Sequence, residues 1–110
     1  MATQSYKVLG QVAPSATTET DLYTVPAATE TIVSTLVVAN RASTSATYRI
    51  SVSVNGAATA NKDYIVYDAS IVGNSITSFT LGLTVDSTDK IRVYASSANL
   101  SFNLFGSEIA

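Results

Sequence analysis

Apolar and polar side chains alternate residue by residue through much of this chain. In residues 48–54, Tyr-Arg-Ile-Ser-Val-Ser-Val, every second side chain is apolar, and the same alternation recurs in residues 91–96 and 100–105. Because successive side chains of a β-strand point to opposite faces, this period predicts strands that bury one face. No segment shows a sustained 3.6-residue apolar spacing, so no amphipathic helix is predicted.

Further strands and the turns between them complete the expected fold. The more uniformly apolar run at residues 32–39 predicts a central strand covered on both faces or a strand at a subunit contact. Asn55-Gly56 is the strongest hairpin signal, because a type I′ turn requires positive φ at both central residues. Shorter strands are predicted at residues 6–13, 21–25, 64–67 and 76–83. About eight short strands predict an all-β fold, a single two-sheet antiparallel β-sandwich of jelly-roll or immunoglobulin-like type, ahead of a small barrel.

The length and composition suit one such domain. The chain has 110 residues, so we predict a single β-sandwich over residues 1–110, with short terminal arms at residues 1–4 and 107–110. Apolar residues make up 46% and can form a core, whereas charged residues make up 13%, about half the usual fraction. The polar surface must therefore be built largely from 15 serines and 15 threonines, which is compatible with closely packed neighbours.

Charge and hydropathy argue against two classes of partner. The net charge is −2, and the six basic residues are dispersed along the sequence. Nucleic-acid binding requires a clustered basic footprint, so we do not expect it. No apolar run approaches the roughly 20 residues of a membrane span, and the first residues have no apolar signal core. We expect no membrane partner and synthesis as a soluble cytoplasmic chain.

The residue types that most enzymes use are scarce. The chain has no His, Cys or Trp, which excludes Ser-His-Asp and Cys-His catalysis and His or Cys metal sites. Most of the eight acids lie at predicted turns, and their spacing does not suggest the paired carboxylates of a glycosidase. Asp86 and Asp89 could contribute oxygen ligands to Ca²⁺, but a plain β-turn is the favoured interpretation. We therefore predict no enzymatic activity, no catalytic residue, no cofactor and no metal.

Aromatic and arginine side chains are the better candidates for function. Tyr64 and Tyr67 are three residues apart, so a regular strand would place them on opposite faces, which disfavours a flat sugar platform from that pair. Tyr94 lies beside Arg92 on the polar face of its strand and is a candidate for an exposed contact. Aromatic residues and Arg dominate the energetics of interfaces generally. The predicted interface residues are Arg49, Arg92, Tyr94 and Phe105.

Three sets of segments, taken together, resemble a known group of proteins. They are residues 7–11 with 21–27, residues 37–41, and residues 93–96 with 102–108. In this order they resemble small virion structural proteins of tailed bacteriophages, including those of cyanophages. The sequence Leu-Tyr-Thr-Val-Pro-Ala at residues 22–27 is similar to a turn that recurs in phage head, tail and fibre components. The resemblance implies a β-sandwich that is made in the host cytoplasm, attaches to the virion and has no active site.

The resemblance leaves several functions open. The first is a capsid decoration or cement protein that binds the major capsid protein, or another virion protein, on the outside of the head. The second is a tail, neck or fibre component, which would normally have a longer chain with a shaft or docking domain. The third is a carbohydrate-binding adhesion module, which requires an exposed aromatic strip beside polar groups. Phage components usually assemble by symmetry, so a homo-oligomer, often a trimer, is expected.

Overall fold

The computed structural model describes residues 3–80 and 82–110, and this part of the chain is almost entirely β-structure. Two single 3₁₀ turns, Val54–Gly56 and Asn61–Asp63, lie between the fourth and fifth strands. No helix among the described residues has the length and apolar character needed to cross a membrane. The strands are β1 (Gln4–Val12), β2 (Thr20–Thr24), β3 (Glu30–Asn40), β4 (Ala46–Ser53), β5 (Tyr64–Ile71), β6 (Ile76–Phe79), β7 (Thr84–Val85), β8 (Lys90–Ala95) and β9 (Leu100–Ile109).

The strands form two antiparallel sheets packed face to face. Sheet A has the order β1-β9-β3-β6, with β7 also pairing with β3, and sheet B has the order β2-β8-β4-β5. The pairing is nested, since β1 pairs with β9, β2 with β8, β3 with β6 and β7, and β4 with β5. The strands therefore form one long antiparallel hairpin that wraps around itself into two sheets. The β3–β9 and β4–β8 pairs join strands from the two arms of this hairpin within each sheet. The predicted β-sandwich of about eight strands is confirmed, and the strand order is that of a jelly roll.

The core lies between the sheets and is filled by the alternating apolar side chains seen in the sequence. Tyr48 of sheet B is 2% exposed, and its ring packs edge-to-face on Phe79 and Phe102 of sheet A, with centroids 6.3 and 6.2 Å away. Edge-to-face contacts of this kind add about 0.5–1.5 kcal/mol to the burial of the rings. The other fully buried large apolar side chains are Leu36, Ile50, Ile91, Leu100, Leu104, Val25, Val38 and Val93.

Bulges interrupt the regular alternation in both sheets. In sheet A, extra residues in β1 and β3 fall beside Phe105 of β9, where the register shifts between Val8 and Gly10 and between Val33 and Thr35. In sheet B, β5 carries two extra residues opposite β4, one at Ile65 between the Tyr64 and Val66 pairs and one at Asp68, whose φ is +50°. Because the side-chain period of a strand is two, one inserted residue moves the following side chains to the other face.

Several sequence-based expectations require adjustment against these strands. Asn55 and Gly56 do adopt positive φ, and Ala57 N–H donates to the Val54 carbonyl, but the chain continues to Asp63 before β5 begins. The turn is therefore present, but the tight two-residue hairpin is not. Of the strand predicted at residues 76–83, only Ile76–Phe79 forms a strand, β6; residue 81 lies outside the described residues, and β7 begins at Thr84.

The two ends of the described chain lie side by side. Residues 107–109, for which the sequence predicts an arm, form the end of β9, and Thr3 and Ala110 exchange two backbone hydrogen bonds. Residues 1 and 2 of the other predicted arm lie outside the described residues. The 32–39 run is part of β3, a central strand with one face in the core and the other, within the described chain, on the molecular surface.

Candidate interaction surfaces

The outer face of sheet B carries an arginine held between two tyrosine rings. Strand pairing places Arg49 of β4 directly opposite Tyr94 of β8. The Arg49 Cζ atom lies 4.3 Å from the ring centroid of Tyr67 and 4.4 Å from that of Tyr94, so both contacts are within cation–π range. Asp68 accepts from Arg49 Nε at 2.7 Å and Nη2 at 3.3 Å, and this hydrogen bonding raises the pKa of Arg49. The guanidinium is thus fixed in position and permanently charged.

The bulge in β5 corrects one sequence inference. Tyr64 and Tyr67 were expected on opposite faces of a regular strand, but their rings pack against each other, with centroids 4.9 Å apart and planes at 79°. The register shift between the Tyr64 and Val66 pairs inserts Ile65, and this extra residue brings both rings to the outer face. Tyr67 and Tyr94 therefore flank Arg49, and Tyr64 packs against Tyr67. We refer to Arg49, Tyr64, Tyr67, Asp68 and Tyr94 as the Arg49 cluster.

Arg92 lies on the same face, but its bonds are directed within the chain. Its side chain is 12% exposed, and its Nε donates to Asp21 Oδ1 at 3.0 Å. Although partial burial would raise the pKa of Asp21, hydrogen bonds from Lys90 and Arg92 lower it. The remaining acceptors of Arg92 are Ser53 Oγ, Gly56 O, Ala57 O and Thr59 Oγ1. Arg92 therefore fastens the loop after β4 to β8.

The two most buried aspartates hold loops in the same region. Asp63 accepts from the backbone N–H of Ala60 at 2.9 Å, which lowers the pKa of Asp63. Asp89 accepts from the backbone N–H groups of Asn55 and Asp86, each at 2.9 Å. Asp89 N–H donates to the Asp86 carbonyl, so the turn predicted at residues 86–89 is confirmed. Among the described residues, no three His, Cys, Asp or Glu side chains come close enough to hold a metal ion.

The outer face of sheet A has a different character. Phe105 shares this face with Val8 and Thr35, its directly opposite neighbours in β1 and β3. The adjoining Tyr6 and Ile32 are 80% and 42% exposed. Phe105 is thus on the opposite side of the sandwich from the other three predicted interface residues. The structure brings Arg49 and Tyr94 together, places Arg92 near them, and separates Phe105 from all three.

A polar cluster between the sheets was not predicted from the sequence. The Tyr23 hydroxyl donates to Glu108 and lies 2.8 Å from Thr31 Oγ1, while Lys7 Nζ lies 2.5 Å from Glu108 Oε1. Burial and the neighbouring Glu108 raise the pKa of Tyr23 to about 12, and hydrogen bonds from Lys7 and Tyr23 lower the pKa of Glu108. Because Tyr23 and Glu108 lie 85 positions apart along the chain and in different sheets, only the packing of the two sheets could reveal the contact.

Comparisons with known proteins identify a shared fold. No protein-family model matches the sequence, and no curated protein is significantly similar to it. Among solved structures, the chain is similar to part of a chain from the crystal structure of the T13 IBDV viral particle, described as revealing a missing link in the evolution of icosahedral viruses. The TM-score is 0.54 at 8% identity, over 98% of this chain and 30% of the viral chain. This chain therefore spans under a third of the length of the protein that it matches.

Proposed function

We propose that this chain is a non-enzymatic virion structural protein of a tailed bacteriophage that decorates the outer surface of the head. The observation that carries the proposal is the jelly roll, which matches a chain of an icosahedral viral particle over 98% of the present chain. The phage-like segments of the sequence agree with this role. The partner is the major capsid protein, and the protein is located on the virion.

The Arg49 cluster is the surface that contacts the head. Tyr and Arg are the residue types most enriched at energetically important interface positions. The side chain of Arg49 is held by Asp68 and by two rings before any partner arrives, so little side-chain entropy is lost on binding. Tyr67 is 59% exposed and gives the cluster an accessible apolar area. In this proposal Arg92 supports the surface by holding the adjacent loop.

The polar groups support a structural role over a catalytic one. The buried carboxylates of Asp63 and Asp89 accept hydrogen bonds from loop backbone, which accounts for their burial without an active site. Glu108 is bound by Lys7 and Tyr23 between the sheets. Asp63 and Asp89 thus stabilise the loop after β4, and Glu108 stabilises the contact between the sheets.

Immunogold electron microscopy of intact particles, with antibody against this chain, tests the location. Dense labelling over the head is expected, whereas labelling confined to the neck or tail would reject decoration in favour of a tail, neck or fibre component. Absence of label would reject the virion assignment itself.

The contact surface is tested by binding of purified protein to heads that lack it. Arg49→Ala is expected to weaken binding by at least tenfold, about 1.4 kcal/mol, as loss of a central arginine does at an interface. Arg41→Ala is the matched control, because Arg41 is exposed and its side chain donates to a single carbonyl, that of Ala98. Equal loss of binding for both variants would show that the Arg49 cluster is not the contact.

Carbohydrate binding is a second candidate, and one observation favours it. The bulge at Ile65 of β5 brings Tyr64 and Tyr67 to one face, beside the charged groups of Arg49 and Asp68. Aromatic side chains beside polar groups are typical of sugar-binding surfaces, although the 79° angle between the two rings does not form a flat platform. NMR titration with host surface glycans distinguishes the candidates, since a sugar ligand must shift the resonances of these tyrosines and leave those of Tyr6 unchanged.

A further inference from the structure

Each sheet ends in exposed edge strands, and β1 differs from the others. Proteins protect edges with short strands, bulges, proline or charges. Edge strand β2 has five residues with a bulge and the charged Asp21, β5 has a bulge at Asp68, and β6 has four residues. In contrast, β1 has nine residues and no proline, its bulge comes only after Val8, and its one charged side chain, Lys7, is bound to Glu108 of β9. The described part of β1 before that bulge is the least protected edge of the sandwich.

The hydrogen-bonding phase of β1 shows which backbone groups are free. Thr3 and Ala110 exchange both of their backbone hydrogen bonds, at 2.7 and 3.0 Å. Hydrogen-bonded and non-hydrogen-bonded pairs alternate along an antiparallel ladder. The Gln4–Ile109 and Tyr6–Ser107 pairs are therefore non-hydrogen-bonded. The N–H and C=O groups of Gln4, Tyr6 and Val8 therefore point away from β9, towards the free edge. The side chains of these three residues carry no charge and lie on the outer face of sheet A.

We propose that β1 pairs antiparallel with β1 of a second copy of this chain about a twofold axis, with Tyr6 opposite Tyr6 of the partner subunit. In this register Gln4 lies opposite Val8 of the partner subunit, and Ser5 lies opposite the partner's Lys7. The three pairs with outward-pointing backbone groups supply about six backbone hydrogen bonds across the axis. The exposed tyrosine rings, 80% accessible in the single chain, cover each other on the outer face.

Charge and the exposed tyrosine rings favour this register over its neighbours. A shift of two residues in one direction places Lys7 directly opposite the partner's Lys7, and like charges directly opposite each other destabilise a strand pair. A shift of two residues in the other direction places Tyr6 opposite Gln4 of the partner subunit, so the two exposed tyrosine rings no longer lie opposite each other. Pairing in the proposed register joins the two A sheets into one continuous sheet.

The proposal is independent of the function proposed above. It replaces the trimer implied by the phage resemblance with a twofold pair, because an edge strand is self-complementary only about a twofold axis.

Cross-linking through a single introduced cysteine tests the register. The chain has no cysteine, so Tyr6→Cys places the only thiol at the proposed axis. Directly opposite residues in a hydrogen-bonded pair have Cα atoms about 5.5 Å apart, within the range that a disulfide spans. Ser5→Cys is the matched control, since two Ser5 residues would be two positions out of register and about 8 Å apart, too far for a disulfide.

Under mild oxidation, Tyr6→Cys is expected to form a disulfide-linked dimer at least ten times faster than Ser5→Cys. Equal rates for the two variants, or no cross-linking of Tyr6→Cys, would overturn the proposed pairing.

Sedimentation analysis tests the pairing without a covalent link. The wild-type protein is expected to form dimers, and Tyr6→Lys, which sets two charges opposite each other, is expected to be monomeric with an unchanged Tm. Val72→Lys is the control at another exposed apolar residue, 63% accessible in the turn after β5, and should remain dimeric. A wild type that stays monomeric up to about 1 mM, where even a millimolar Kd would be detected, refutes the proposal. A larger oligomer that Tyr6→Lys leaves intact refutes it equally.

Discussion

Replacement of Arg92 by methionine should destabilise the whole sandwich, although the residue lies on the surface of a sheet. Methionine keeps the apolar stem and approximate length of the side chain but removes every guanidinium hydrogen bond. The lost partners are the Asp21 carboxylate and four groups at the end of β4 and in the loop that follows it. Because the loop carries only two single 3₁₀ turns, Arg92 is a principal link between it and β8.

The burial of each partner sets the magnitude. Ser53 is fully buried, so its hydroxyl loses a charged donor that water cannot replace, at a cost of about 1–3 kcal/mol. The Gly56 and Ala57 carbonyls are more accessible and can be hydrated, so they add about 0.5 kcal/mol each. Asp21 is 46% exposed and keeps its ion pair with Lys90, so its contribution is at most about 1 kcal/mol. The expected loss in the free energy of unfolding is therefore about 2–5 kcal/mol.

Urea unfolding followed by circular dichroism measures this loss. With an m-value of about 2 kcal/mol/M, the midpoint should fall by about 1–2.5 M while m stays constant. Arg41→Met is the matched control, since the exposed Arg41 donates only to the Ala98 carbonyl, and it should cost less than about 0.5 kcal/mol. If Arg92→Met costs no more than Arg41→Met, the loop does not depend on Arg92 and the reasoning is wrong.

Two further predictions concern sheet A. Gly106→Ala would place a Cβ atom 2.1 Å from the carbonyl oxygen of Ile32, so β3 must move. The Tm measured by calorimetry should fall by roughly 10 °C, corresponding to about 2 kcal/mol. An unchanged Tm would contradict the close approach of the two strands. The polar cluster predicts losses of stability at both ends of the pH scale. The pKa of Glu108 is lowered by Lys7 and Tyr23, so its stabilisation is present above the ordinary value of 4.5 and is lost as the pH falls below it. The pKa of Tyr23 is raised to about 12, so its stabilisation is present below 10 and is lost between 10 and 12. The urea midpoint should therefore fall between pH 10 and about 12, and this fall should be smaller in Tyr23→Phe. An equal fall in that variant would show that groups other than Tyr23 cause the loss of stability.

Much of the fold could be predicted because burial on one face imposes a period of two. That period located the strand that contains Tyr48, Ile50 and Val52, and the core side chains of β8 and β9 follow it without interruption. The choice between jelly-roll and immunoglobulin-like order could not be made, because strand pairing depends on contacts between residues far apart along the chain. The bulges were also not predicted, since an inserted residue leaves the local composition unchanged.

The candidate surface was predicted in part. Arg49 and Tyr94 were identified by residue type, and the β4–β8 register makes them neighbours. Tyr67 was assigned to the wrong face relative to Tyr64, because the prediction assumed a regular strand where β5 has a bulge. Phe105 belongs to the other sheet, and that assignment required the strand order.

The nested strand order has a consequence for biosynthesis. The last two described strands along the sequence, β8 and β9, are interior strands of sheets B and A. While the ribosome is still translating, β1 and β2 have emerged but their partners do not yet exist, so neither sheet can be completed in the order of synthesis. Folding of this chain must therefore wait until residue 109 has left the ribosome, and a nascent chain stalled before β8 would expose unpaired strands to aggregation.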